Sequence, residues 1–558
     1  MQAVKTKEKA SLISGVLGGT ISLTVSTLVV KLLGLIYKIP LASVLGDLGM
    51  GYFNSAYTVY SFFYLLCTAG VPKAVMMLIS EAKAEGRRGD ERNIVRVASL
   101  MFVSLGIFLT VVFTVFSAPI ARFIGSSKSA FTMVAIAPSI VFVSLAGVIR
   151  GYLSAGMYFL DIAISQVIEG VGKLALGLLF AMIGKRLNMP LEMLSAMTIL
   201  GVTLGALFGL LYLLICSKIR KEKENTGQND IKIQNKQIAK RILSISIPIT
   251  LSAAIMSMTS IIDLVLIMSS LTKIGYSESQ ANALYGNYTT LAVPMFNLAL
   301  SIITPISVAH MPTLTSSFAS KNTDLFRSCE KSAYNLTGIA SAPMMLGLGA
   351  FSQEILSVLF PKSETFLGGD LLTVLSPSIL FSSLLIIVNT SLEAMGRVKA
   401  PLVSMLFGSA AKFLVSYLII TKTEMGVFGA PIGTVISYAT ALFVSLIIYS
   451  RATGKSIPVI DSFGIPYIMA AVAVLTARFT YNNLEKVINR LPLLLICILL
   501  AALIYLVLIT TFGILSPKKA KQNGKMYKKC SAKLENKPKC EAGKRKKSCL
   551  YLTIIENT

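Results

Sequence analysis

Apolar stretches about as long as a membrane is thick recur from one end of this chain to the other, and that recurrence limits its fold more than any motif does. A bilayer core of about 30 Å takes roughly 20 apolar residues per helix. Runs of that kind, bounded by charged or Gly/Pro-containing breaks, occupy residues 14–37, 52–79, 95–117, 131–153, 160–183 and 195–217. After a basic loop come 242–271, 284–309, 333–351, 371–394, 401–420, 426–449, 463–480 and 491–513. The expectation is an all-α polytopic membrane protein with about fourteen spans. A mean hydropathy of +0.73 with only 14% charged residues fits that class and excludes an ordinary soluble domain.

The net charge of +26 would suggest nucleic acid in a soluble protein. Here its placement gives another answer. With the N-terminus inside, 37 of the 52 Lys and Arg fall in loops on that side, 11 on the other, and four within spans. This positive-inside bias predicts that both termini are cytoplasmic, and it removes the main support for a nucleic-acid partner. The first apolar run is long enough to span and is followed by another span, so it reads as a retained helix rather than a cleaved signal. Tryptophan is absent, leaving tyrosines such as Tyr37, Tyr52, Tyr57, Tyr212 and Tyr449 for the interfacial belt.

The chain also repeats itself. Pro138-Ser-Ile-Val-Phe-Val-Ser-Leu145 and Pro377-Ser-Ile-Leu-Phe-Ser-Ser-Leu384 are offset by 239 residues, and the same offset lays Lys173 on Lys412. Two parallel six-helix repeat lobes are expected, because an even number of spans returns the chain to the same side. They cover 1–217 and 242–451, joined by a basic cytoplasmic linker at 218–241. Helices 13 and 14 (452–516) and a basic cytoplasmic tail (517–558) follow. That tail would be solvated or would bind anionic lipid.

An ionisable side chain at mid-membrane costs about 2.5–3.5 kcal/mol on insertion scales, so each such residue calls for a partner or a water-filled cavity. In the first run Thr20, Thr24, Thr27, Lys31, Gly34 and Lys38 step by three and four and share a helical face. Stacked threonines beneath Lys31 favour a cavity over snorkelling to the headgroups. Glu169 precedes Lys173 by four residues, the spacing of an intrahelical ion pair. Lys412 has no such carboxylate; Gly408, Ser409 and Ser416 surround it, making it the better cavity cation. Asp263, on a face with Ser252 and Thr259, is placed either to pair with Lys31 or to bind a coupling cation or proton. Lys73, after Pro72, either snorkels or lines the inner mouth, and Glu393 and His310 read as interfacial.

Enzyme chemistry finds no constellation. One histidine, and seven cysteines at 67, 216, 329, 497, 530, 540 and 549 without a Cys-x-x-Cys pair, supply no zinc set. Gly454-Lys455-Ser456 lacks the earlier glycine of a phosphate loop. No cofactor and no metal are expected.

Lys31-Leu-Leu-Gly34 leading into Leu45-Gly46 and Gly49-Met-Gly51-Tyr52, then Ala69-Gly-Val-Pro-Lys-Ala74 and Ile79-Ser-Glu-Ala82, resemble the polysaccharide-exporter branch of the multidrug/oligosaccharidyl-lipid/polysaccharide (MOP) superfamily. Asp263, Ala283-Leu-Tyr-Gly286 and Thr304-Pro-Ile-Ser307 are similar to the second lobe of its stage V sporulation protein B group. The resemblance covers roughly residues 10–515 and implies an inner-membrane flippase for undecaprenyl-pyrophosphate-linked saccharide, related to the lipid II flippase. Its expected partners are that anionic lipid-linked substrate, membrane lipids and cell-wall synthesis proteins. Lys31, Lys173, Lys412 and Lys73 would then face the headgroup as point charges. Lys31 stands where the lipid II flippase group typically has Arg, and the last two spans would border a groove for the prenyl tail. Two rival readings remain: a cation-coupled antiporter of the multidrug and toxin extrusion type, which shares the fold, and a non-transporting partner of a cell-wall assembly complex.

Overall fold

The computed structural model describes residues 2–84, 88–223, 234–319, 323–361, 363–397, 399–423, 425–454, 460–485 and 487–512. Residues 224–233 of the expected linker and the whole expected tail (517–558) lie outside them, as do the side chains of Thr20, Thr24, Thr27, Ser252 and Thr259. Among the described residues every regular element is a helix. They are α1 (Gln2–Thr68), α2 (Val71–Ala84), α3 (Arg88–Val115), α4 (Ser117–Ile124), α5 (Ala130–Ile136), α6 (Ser139–Ala155), α7 (Phe159–Arg186), α8 (Leu191–Lys223), α9 (Asn235–Lys273) and α10 (Glu278–Asn287). There follow α11 (Val293–Ala319), α12 (Thr323–Ala350), α13 (Ser352–Leu359), α14 (Thr365–Leu375), α15 (Ser378–Ala394), α16 (Ala400–Lys422), α17 (Gly429–Thr453), α18 (Ile465–Leu484) and α19 (Arg490–Thr511). Residues Met1–Tyr505 form one compact unit and Leu506–Thr558 a second, described as far as 512.

Nine of these helices are long and apolar enough to cross a membrane, or twelve when each bent pair is one span. That is fewer than the fourteen runs, and the difference has a local cause. Val29–Lys83 counts once although it runs 55 residues and covers the end of the first run and the whole of the second. Its break is Gly46, at φ +64°, a left-handed conformation that costs an L-residue about 1–2 kcal/mol and a glycine nothing. The 39-residue α9, which contains the seventh run, is not among the nine.

The 239-residue offset has a structural counterpart. Pro138 and Pro377 each stand immediately before a 17-residue helix, α6 and α15. Each helix is bent from its predecessor by nearly the same angle, 41° and 42°. Proline has no N–H to lose at a helix start, so the same residue sets the same bend in both repeats.

Buried side chains divide unevenly along the membrane normal. At the end marked by Gly46, one core takes in Tyr37 and Leu41 from the first repeat together with Leu264, Tyr288 and Leu371 from the second. Toward the Gly70 end the repeats keep separate cores, one around Val75, Ile149 and Tyr152 and the other around Tyr334, Leu392 and Tyr449. Helix α9 bridges them, because Ile238 and Ile242 are buried in the first repeat's core while its far half packs on α16. Ile242, the first residue expected in the second lobe, therefore sits in the first.

Candidate functional site

Glycines decide where the intramembrane charges point. In α8 a Cβ at Gly205 would lie 2.7 Å from the Glu169 carbonyl and 2.8 Å from the Lys173 nitrogen, so α8 and α7 touch backbone to backbone there. With that face of α7 closed, Lys173 turns toward α1. Its ammonium lies over the rings of Tyr57 (4.7 Å) and Tyr37 (5.5 Å). The expected Glu169–Lys173 pair is not made. Arg150 of α6 takes the carboxylate instead, Nη2 to Oε2 at 2.8 Å. A guanidinium reaching across from another helix outcompetes an i,i+4 contact worth only about 0.2–0.5 kcal/mol. Arg150 is part-buried, and its Nε has no hydrogen-bond partner among the described residues.

The second repeat builds the same corner with a different outcome. Gly433 of α17 seats against Ser416 and the Lys412 carbonyl, and Lys412 turns to α9. Its Nζ meets Asp263 Oδ2 at 2.5 Å, with 8% and 16% of the two side chains exposed. This corrects two expectations. Asp263 pairs with Lys412 and not with Lys31, and Lys412 is a neutralised cation. The carboxylate comes from α9, where spacing along α16 could not reveal it.

Of the other expected residues, Lys31 is exposed on α1 without an ion-pair partner among the described residues, and Lys73 is exposed at the start of α2. Lys73 lies within electrostatic reach of Glu393, which belongs to the other repeat. Lys38, the last residue of the polar face read along the first run, is counted among the loop charges and not among the cavity cations. Its Nζ donates to the Thr289 carbonyl at 2.9 Å. That carbonyl lies in Tyr288–Ala292, a π-helical turn between α10 and α11, where the backbone ladder is wider than in an α-helix. Lys38 and Lys173 are electrostatic neighbours.

Around these cations the repeats are fastened at the Gly46 end by polar contacts. Asn54 Nδ2 donates to Thr290 Oγ1 (2.8 Å), the hydroxyls of Thr58 and Tyr285 meet at 2.9 Å, and Ser126 Oγ donates to Asn282 Oδ1 (2.6 Å). Asp47 Oδ2 accepts from Asn287 Nδ2 (3.2 Å), and Asn287 also donates to the Glu364 carbonyl (2.9 Å). Elsewhere, an apolar groove of about 260 Å³ opens between α12 and α18, lined by Met345, Leu346, Ala471, Val474 and Leu475 among others.

A duplicated bundle of membrane helices, sharing one core at one end and keeping separate cores at the other, with cations between its halves, defines a transporter of the MOP superfamily. The chain belongs to the polysaccharide biosynthesis protein family, whose model matches residues 16–318, and a MatE family model matches residues 288–418. It is 23% identical over 445 residues to stage V sporulation protein B of Bacillus subtilis, covering 79% of this chain and 84% of that protein. Its identity to the lipid II flippase MurJ of the same organism is 24% over 463 residues, again covering 79% and 84%. Among solved structures, a lipid II flippase MurJ in an inward closed conformation aligns with a TM-score of 0.66 at 15% identity, covering 88% of this chain and 98% of that one. An inward-facing multidrug resistance MATE family transporter aligns at 0.63 and 14%, covering 78% and 98%. Of these, MurJ is named as a flippase and the MATE family protein as a transporter.

Proposed function

We propose that the protein is a flippase for an anionic lipid-linked saccharide, an undecaprenyl-pyrophosphate-linked cell-wall or spore-cortex precursor of the lipid II type. Alternating access by rocking of lobes 1–217 and 242–451 would move the headgroup. The observation that carries this reading is the imbalance of charge between the repeats. The second repeat neutralises Lys412 with Asp263, whereas Lys38 and Lys173 of the first have a carbonyl and two aromatic rings but no carboxylate among the described residues. A pyrophosphate matches that surplus, and the free Nε of Arg150 offers a further donor. The apolar groove on α18 suits the prenyl tail. With both termini cytoplasmic, the Gly46 end faces outward, so the lobes are closed outside and parted inside.

Translocation of lipid II in proteoliposomes tests the proposal, comparing wild type with Lys173→Ala and Lys38→Ala. Loss of one charge-assisted contact worth about 1.5–3 kcal/mol would raise the half-saturating lipid concentration about tenfold to hundredfold. Asp263 is the observation bearing on the antiporter reading: its Oδ2 is already paired with Lys412, so it is not a free carboxylate for an exported cation. Export of a cationic dye that depends on Asp263, with no movement of lipid II, would establish the antiporter instead. Absence of both activities in a folded wild type would favour the non-transporting partner.

A further inference from the structure

Helices α3 and α9 both start at the Gly70 end and lie side by side there, with Asn93 Nδ2 donating to Asn235 Oδ1 at 2.8 Å. At about 3.6 residues per turn, that contact fixes which way the neighbouring side chains of two parallel helices point. Glu91 and Arg241 fall on one side of the pair, toward α2, where they meet Lys83 (3.9 Å) and Glu81 (2.7 Å). Arg92 and Arg96 of α3 fall on the other side, together with Lys236 and Lys240 of α9. All four are exposed, and none has an ion-pair partner among the described residues. No carboxylate of either helix joins them: Glu91 is turned to α2, Asp90 is buried, and the first acidic residue of α9 is Asp263.

These two faces change character with depth. Along α9, Lys236 and Lys240 lead into Leu243, Ile247 and Leu251, all exposed. Along α3, Arg92 and Arg96 lead into Leu100 and Ile107, also exposed. Steps of three, four and seven residues keep each series on one face of its helix. Like charges on adjacent turns repel one another, and an anion among them relieves the repulsion. A surface that is basic at the membrane boundary and apolar below it matches a phospholipid with a negatively charged headgroup. An acidic protein would match the cations but not the leucines beneath them, which lie at membrane depth.

We propose that α3 and α9 form a docking site for an anionic phospholipid of the cytoplasmic leaflet. Arg92, Arg96, Lys236 and Lys240 surround its phosphate, and Leu100, Leu243 and Ile247 run along its chains. The lipid holds the inner half of α9 on the first repeat from one side, as the Glu81–Arg241 pair holds it from the other. Because α9 goes on to pack against α16 of the second repeat, the anionic lipid content of the membrane bears on how firmly this connecting helix is seated. The proposal does not depend on which cargo the protein moves.

The chain has no tryptophan, so Leu243→Trp places a single fluorophore beside the site. Ile468→Trp, exposed on α18 with no basic residue of that helix before Arg478, is the reference. Each full-length variant is reconstituted in vesicles of phosphatidylglycerol and phosphatidylcholine, with bromine on the chains of one lipid or the other, and quenching reports which lipid lies next to the fluorophore. Phosphatidylglycerol should be preferred about tenfold at Leu243→Trp and hardly at all at Ile468→Trp. Adding Arg92→Gln, Arg96→Gln, Lys236→Gln and Lys240→Gln should abolish the preference. The same change at Arg327, Lys331, Arg397 and Arg451, exposed basic residues of the second repeat, should leave it intact. Equal quenching by the two lipids at Leu243→Trp, or a preference that survives the first four substitutions, overturns the proposal. So does a preference as large at Ile468→Trp, or one lost equally with the second set, since either makes it a property of net surface charge. If the fourfold variant does not fold, Arg92→Gln with Arg96→Gln and Lys236→Gln with Lys240→Gln, each expected to lower the preference, still decide.

Discussion

A lysine or arginine inside a membrane is structural or functional according to what neutralises it, and this chain holds both kinds. Lys412 and Arg150 are tied to Asp263 and Glu169 at part-buried sites. Removing one partner strands the other, so Lys412→Ala and Arg150→Ala should each cost about 3–5 kcal/mol, read from unfolding followed by circular dichroism. The double replacement Lys412→Met with Asp263→Leu should recover most of that loss. Lys173→Met should behave differently. Only a cation–π contact goes, about 0.5–2 kcal/mol, while lipid translocation falls far more than stability does. The intramembrane lysines were legible in the sequence because an apolar run with a lysine in it is conspicuous. Their partners were not, since Asp263 meets Lys412, and Arg150 meets Glu169, through helix crossings that spacing within one helix does not encode. Lys38 sits at the end of an apolar run, where a rule for assigning charges to loops claims it.

Elements depend on where backbones touch. Gly205→Leu would drive a branched side chain into the Glu169 carbonyl, and overpacking of this kind costs typically about 1–3 kcal/mol. Because the wedge opens α7 from α8 at Lys173, lower thermal stability and lower translocation are expected together, whereas Lys173→Met should separate them. At Gly46 an alanine has room, with no atom within 4 Å of its Cβ, so the φ of +64° alone should cost about 1–2 kcal/mol in the melting experiment. The repeat offset of 239 residues and the paired prolines could be read directly, and the matched bends follow from them. The π-helical turn could not be foreseen. Tyr288-Thr-Thr-Leu-Ala292 has the composition of any apolar helix, and the ammonium that meets its Thr289 carbonyl belongs to a residue 251 positions away.

At the scale of the whole molecule, the joined core at the Gly46 end and the separate cores at the other are what the proposed rocking would exchange. Ser126 and Asn282 belong to different repeats and touch at 2.6 Å. Cysteines at both positions, in a chain freed of its native cysteines, should form an oxidant-dependent cross-link that stops translocation and releases it on reduction. Undiminished translocation with the link closed would rule out rocking. The surplus of positive charge on the first repeat also says which half of the cycle the membrane voltage acts on. On the proposed function, a bound pyrophosphate would be cancelled by Lys38 and Lys173, and the loaded step would move almost no net charge through the field. The unloaded protein returns with those cations uncovered, and each elementary charge crossing the full potential is worth about 2.3 kcal/mol per 100 mV. On that reading a cell interior held negative would hasten the empty return and leave the loaded step nearly indifferent to voltage, so the resting potential would reset the carrier rather than push its cargo.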